Sequence, residues 1–169
     1  EALSPEYPIT ARDTNCDIAF LRWGLSLLLD LSDKFCPEEP MKDRWRDVLS
    51  NLADYQIDEY GLMIGRDVSF DRTHRHYSHL FAMYPLYLIN WDQEENRDLM
   101  VKSVERWLSF DEKLQGYSYT GAASIYASMR EGKTAEEYLE KLLDAKIYPN
   151  TLYAEKGPCI ETPLSAAKS

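Results

Sequence analysis

The run Asp17-Ile18-Ala19-Phe20-Leu21-Arg22-Trp23-Gly24-Leu25-Ser26-Leu27-Leu28-Leu29 decides the fold class. Ile18, Leu21, Leu25, Leu28 and Leu29 recur at helical spacing, which predicts a buried apolar stripe on a helix starting at Thr14 and running to about Phe35. Upstream, Pro5 and Pro8 break any helix, so residues 1–13 are expected to be irregular, with Ser4-Pro5-Glu6-Tyr7 extended or in a turn. Downstream, Cys36-Pro37-Glu38-Glu39-Pro40 reads as a turn, and Pro40 stands near a helix start, where a missing N–H does no harm. Met41, Trp45, Val48, Leu49 and Leu52 then make a second one-sided stripe. Two helices joined by a short turn predict an antiparallel hairpin.

The period is lost over residues 54–73, where Tyr60-Gly61-Leu62-Met63-Ile64-Gly65 suggests a short strand or hairpin excursion. A loop of that length in a helical chain is commonly functional. Met100, Val104, Trp107 and Leu108 mark a third helix, expected to continue to about Leu114. Gly116 to Gly121 is expected to introduce a fourth, with Ala123, Ile125, Tyr126 and Met129 at its core positions. Gly132 reads as its stop, and Thr134 with Glu137 as a capping box for a fifth helix carrying Tyr138, Leu139, Leu142 and Leu143 on one side. Residues 149–158 read as a long loop, after which Thr162 and Pro163 suit the N-cap and first position of another helix. The chain is therefore all-α, an array of hairpins with long loops at one end. No exact repeat period singles out a solenoid, and a toroid of hairpins would have the same texture. The chain begins with Glu1 and is expected to be a fragment, incomplete at both ends.

Composition narrows the function. A net charge of −10 with scattered Lys and Arg argues against a phosphate-binding surface and hence against nucleic acid. No apolar run is long enough for a membrane span. Cys16, Cys36 and Cys159 are an odd number without metal-ligand spacing and read as core or idle thiols.

All three histidines fall within His74-Arg75-His76-Tyr77-Ser78-His79, ahead of the apolar run that ends at Tyr84-Pro85. Imidazoles and a guanidinium together supply several oriented donors, the kind used to hold polyhydroxylated or anionic ligands. His74, Arg75, His76 and His79 are thus the candidate binding residues. The spacing of His74 and His79 also resembles some zinc-ligand spacings, but no Cys or carboxylate lies at a partner interval and there is no H-E-x-x-H pattern. Trp23, Trp45 and Trp107 lie on the helical stripes and are expected in the core. Trp91, Tyr84, Tyr117, Tyr119 and Tyr153 lie near turns or loops, where a ring could stack on a ligand.

Several of these stretches, in order, resemble glycoside hydrolase family 95, the inverting α-L-fucosidases with an (α/α)6 catalytic barrel. His74-Arg75-His76-Tyr77-Ser78-His79-Leu80 followed by Tyr84-Pro85 is similar to that family's H-R-H-x-S-H-L-Y-G-L-Y-P signature. Ser4-Pro5-Glu6 resembles its S-P-E segment, and the stretch from Thr120-Gly121 to Leu143 its glycine-led helix pair. Gly157-Pro158-Cys159-Ile160-Glu161 stands where the family has P-F-Q-I-D-G-N-F-G. The resemblance implies that the chain is part of an (α/α)6 toroid of the six-hairpin glycosidase type, acting with the remainder of a parent polypeptide on an oligosaccharide or glycoconjugate. It implies no metal ion or organic cofactor, and export to the periplasm or exterior of a bacterium.

The resemblance also implies roles. Glu6 matches the general acid that protonates the departing oxygen, Arg75 and His76 match residues that hold the sugar, and Glu161 occupies the place of the catalytic aspartate. Glu161 departs from the pattern: it is one methylene longer than Asp and is followed by Thr162-Pro163 instead of Gly-Asn. The family's water-positioning asparagine pair has no counterpart here, so the isolated chain is expected to be inactive. Asp58, Glu59, Asp67 and Asp71 in the long loop are alternative carboxylates. A helical-hairpin module binding a peptide or protein on a concave face, and a sugar-binding barrel without hydrolysis, are the competing expectations.

Overall fold

The computed structural model describes residues 2–3, 9–150 and 153. Among these residues there are five helices: α1 (Asn15–Phe35), α2 (Lys42–Ser50), α3 (Arg97–Leu108), α4 (Gly116–Ser128) and α5 (Gly132–Lys146). Four two-residue strands accompany them: β1 (Ala2–Leu3), β2 (Thr10–Ala11), β3 (Ile57–Asp58) and β4 (Gly61–Leu62). β1 pairs antiparallel with β2, Ala2 opposite Ala11, so the first thirteen residues are not wholly irregular as expected. The all-α class and the two hairpins, α1–α2 and α4–α5, follow the sequence expectation. No helix among the described residues is long and apolar enough to cross a membrane.

α1 starts where expected because the Thr14 hydroxyl accepts from the Asp17 backbone N–H at 3.3 Å. The next residue ties that end down. Asn15, wholly buried, donates its amide to the Gln56 and Met63 carbonyls, both at 2.8 Å, and accepts from the Gln56 N–H at 2.8 Å. These bonds bind the β3–β4 hairpin to the helix entrance. Further along, α1 departs from the expected buried stripe. Ile18 is buried, but Leu21, Leu28 and Trp23, the last expected in the core, are between 43% and 45% exposed, and Phe35 is 80% exposed. Among the described residues α1 packs chiefly on α2 and on the turn at Ser78–Leu80, and α2 itself has no buried residue.

The core lies around α3. Met100, Val104 and Trp107 of α3, Leu80 and Met83 of the loop before it, and Ile125 of α4 are fully buried. The β3–β4 hairpin meets α3 at Gly61, whose φ of +121° and contact with Ser103 leave no room for a Cβ. Ser103 completes the contact by accepting from the Leu62 N–H at 2.9 Å and donating to the Leu99 carbonyl at 2.6 Å.

Three helix limits differ from expectation, each for a local reason. α3 ends at Leu108 instead of Leu114, because the Thr73 hydroxyl donates to the Phe110 carbonyl at 2.8 Å and accepts from the Lys113 N–H at 3.0 Å, drawing residues 109–113 out of the helix. Gly116 and Gly121 lie inside α4. It is here that a capping box occurs, between Gln115 and Ser118, not at Thr134 and Glu137. Gly132 is the first residue of α5 and not the stop of α4. That stop is Arg130, at φ +65°, where Glu131 N–H bonds to the Tyr126 carbonyl and Arg130 N–H to the Ala127 carbonyl in a Schellman pattern.

Candidate functional site

Residues 73–77 run between the long loop and the 3₁₀ turn at Ser78–Leu80, between the C-terminal end of α3 and the first turn of α4. Their backbone is pinned from two sides. Trp107 Nε1 donates to the His74 carbonyl at 3.4 Å, and the Ser118 hydroxyl donates to the Arg75 carbonyl at 2.7 Å. Because Trp107 is wholly buried and Ser118 is part of the α4 capping box, the segment is held by rigid elements.

The side chains of this segment divide into two groups. His74, Arg75 and His76 are half-buried. Arg75 Nε donates to His76 Nε2 at 2.9 Å, and the His76 backbone N–H donates to His74 Nδ1 at 3.0 Å. An arginine Nε always carries its hydrogen, so His76 Nε2 must be the acceptor and its ring proton sits on Nδ1. By the same logic His74 Nδ1 is the acceptor from the His76 backbone N–H. Two imidazoles and a guanidinium are thus tied to one another along three consecutive positions. That array suits lone pairs of sugar hydroxyl or carboxylate oxygens.

His79 belongs to the second group. It is 2% exposed, its ring stacks on Phe70 with centroids 4.4 Å apart, and its Nδ1 has no hydrogen-bond partner among the described residues. Burial, with a smaller contribution from His74, pushes its pKa down to about 3, so it is a neutral ring behind the segment. The 3₁₀ turn is what separates it from its neighbours: Tyr77, Ser78, His79 and Leu80 all turn inward. Glu6 and Glu161, the expected acid and base, lie outside the described residues.

Aromatic rings surround the pinned segment. Tyr77, 1% exposed, lies 4.8 Å from Trp107 and is stacked on Tyr117 at 5.0 Å. Burial, and Tyr117 beside it, raise the Tyr77 phenol pKa far above its usual value, so it remains neutral. Gly121 permits this arrangement, since a Cβ there would fall inside the Tyr77 ring. Tyr117 is half-buried and its centroid is 5.4 Å from that of His76. Of the other expected stacking rings, Tyr84 is buried in the core, and Trp91 packs under the Arg97 guanidinium at 5.5 Å. Trp107 is in the core, as its spacing predicts.

Ser118, Trp107 and Gly121 are site-supporting residues that sequence reasoning did not single out for that role. Their only sequence signals are small residues on α4 and a tryptophan on a helical stripe. Asp71 and Asp67 of the long loop are exposed, and among the described residues no three His, Cys, Asp or Glu side chains form a metal-binding group. Burial, with a smaller effect from Asp17, pushes the Cys16 thiol up to about 12, so it stays protonated, while Cys36 is exposed. Cys159 is outside the described residues.

A family model described as the glycosyl hydrolase family 95 catalytic domain matches residues 2–162. Among curated proteins, none matches the chain.

Proposed function

Because the chain belongs to glycosyl hydrolase family 95, whose members are glycosidases acting on carbohydrate, we propose that its parent polypeptide hydrolyses α-linked, fucose-like glycosides with inversion. The observation that supports this reading is the Arg75–His76 pair, whose 2.9 Å bond fixes the two side chains against one another on a braced segment. His74, Arg75 and His76 hold the sugar hydroxyls in this proposal, and His79 supports them from beneath.

The chemistry requires two further groups. Glu6, protonated, gives its proton to the glycosidic oxygen as the C–O bond breaks. Glu161, ionised, takes a proton from water as that water attacks the anomeric carbon from the opposite face. Inverting enzymes hold such carboxyls about 6.5–9.5 Å apart so that the water fits between. General acid or base catalysis is typically worth about 10²–10⁴-fold. The test uses the parent polypeptide on aryl α-L-fucosides, following the anomer first released by proton NMR. Glu6→Gln and Glu161→Gln are each expected to lower kcat by at least about 10²-fold, with the β-anomer of the product appearing first. Wild-type rates in both variants on a substrate the parent hydrolyses would overturn the acid and base assignments. Binding without turnover by the parent would favour a barrel that holds sugar and no longer cleaves it.

A further inference from the structure

We propose that Tyr117 is a substrate-contacting residue, a ring that takes the apolar C–H face of the sugar whose hydroxyls His74, Arg75 and His76 hold. This rests on the carbohydrate reading above. A pyranose presents two surfaces, a rim of hydroxyls and faces of C–H groups. A site that recognises one therefore pairs fixed polar groups with an apolar or aromatic wall. Arg75 and His76 provide the polar groups. Of the aromatic rings considered for stacking, Tyr117 is the one set against them, with its centroid 5.4 Å from His76 and the ring planes inclined by 50°.

Its position is also fixed to a degree that a wall requires. Tyr117 stacks on Tyr77 with the planes 19° apart, and Tyr77 is itself buried against Trp107 and seated over Gly121. One residue on, the Ser118 hydroxyl accepts from the Gln115 N–H at 3.1 Å and donates to the Arg75 carbonyl at 2.7 Å. The first turn of α4, which carries Tyr117, is thus tied to the backbone of the His74–His76 segment. Preorganisation of this kind is what a recognition surface gains from rigid support. Tyr117 stands at the margin of the core, only partly buried, beside the imidazole.

The test compares Tyr117→Phe and Tyr117→Leu in the parent polypeptide, on whichever aryl glycoside it hydrolyses, with saturation-transfer NMR to free L-fucose as a second readout and thermal melting as the control. Phe keeps the aromatic face and is expected to retain kcat/KM within about 3-fold, whereas Leu, apolar but without that face, loses about 10-fold, mainly through KM. The saturation-transfer signal is expected to fall with Leu and persist with Phe. Wild-type KM and sugar signal in the Leu variant, whatever its melting temperature, would overturn the proposal. A parent that cleaves a different glycoside and spares fucosides would sink the fucose reading alone, since Tyr117 is then judged on the glycoside cleaved. A parent that neither cleaves a glycoside nor binds the free sugar overturns both.

Discussion

Helices α1 and α4 are built on opposite plans. α1 is rich in Leu, Phe and Trp, yet Phe20, Leu21, Trp23, Leu27, Leu28 and Leu31 are each about two-fifths exposed. α4 reads Gly-Tyr-Ser-Tyr-Thr-Gly-Ala-Ala-Ser-Ile-Tyr-Ala-Ser, with scarcely any amphipathic pattern, and it is buried at eight positions. Hydrophobicity along a helix reports what the residues would gain by burial, whereas actual burial depends on how close a neighbour can come. Small residues let Tyr77 lie directly on the α4 backbone at Gly121. On α1 the corresponding small residue, Gly24, has nothing among the described residues within 4 Å of where its Cβ would be.

The largest effect is expected from truncating the tryptophan at the centre of the core against which the Tyr77 ring on α4 packs. Trp107→Ala empties the fully buried centre and releases the His74 carbonyl, so a loss of about 3–5 kcal/mol is expected by denaturant unfolding. A loss below about 1 kcal/mol would show that the α3 core is less consolidated than its burial indicates.

His79 offers the next largest effect. Its pKa is pushed from 6.5 in the unfolded chain to about 3 in the fold, with His74 the nearby titratable group. The unfolded chain therefore binds a proton that the native one refuses. Stability due to this ring is fully present above pH 6.5 and is lost as pH falls toward 3, amounting to about 3 kcal/mol by pH 4. His79→Phe, which keeps the stack on Phe70, is expected to flatten stability over that window. An unchanged acid slope would mean that His79 is not buried neutral.

Gly121→Ala comes third, at about 1–3 kcal/mol, because the new methyl must displace the Tyr77 ring. Gly24→Ala, by contrast, meets open space and should stabilise an exposed helix interior by up to about 1 kcal/mol. Equal effects at the two glycines would remove the contrast between the helices. Smallest is Leu28→Ser on the open side of α1, expected to stay within about 1 kcal/mol, against about 1 kcal/mol for Thr14→Ala at its N-cap.

Much of the fold was legible because the period of Ile18, Leu21 and Leu25, and of Met100, Val104 and Trp107, marks helices wherever their apolar sides end up. The β3–β4 excursion was legible from Gly61. What escaped was tertiary. Periodicity names the side of α1 that would gain from burial without saying what covers it, so Leu21 and Leu28 were expected inside. Gly116 and Gly121 read as punctuation on propensity alone, although the second is there for Tyr77. Nothing local announces that Thr73 will capture Phe110 and Lys113 from 37 and 40 positions away. In the candidate site, clustering pointed to the segment but could not separate its three like imidazoles. A single 3₁₀ turn sends His79 inward while His74 and His76 stay half-buried.

The bond from Arg75 Nε to His76 Nε2 decides which residues could replace this arginine. Lysine would keep the positive charge but has no N–H partway along its stem, so this bond to the neighbouring ring would be lost. The imidazole could then rotate by half a turn or exchange its proton between nitrogens, and a donor would become an acceptor without any change in net charge. Position 75 therefore accepts no other natural side chain on grounds of charge alone, because what the segment uses there is a fixed direction.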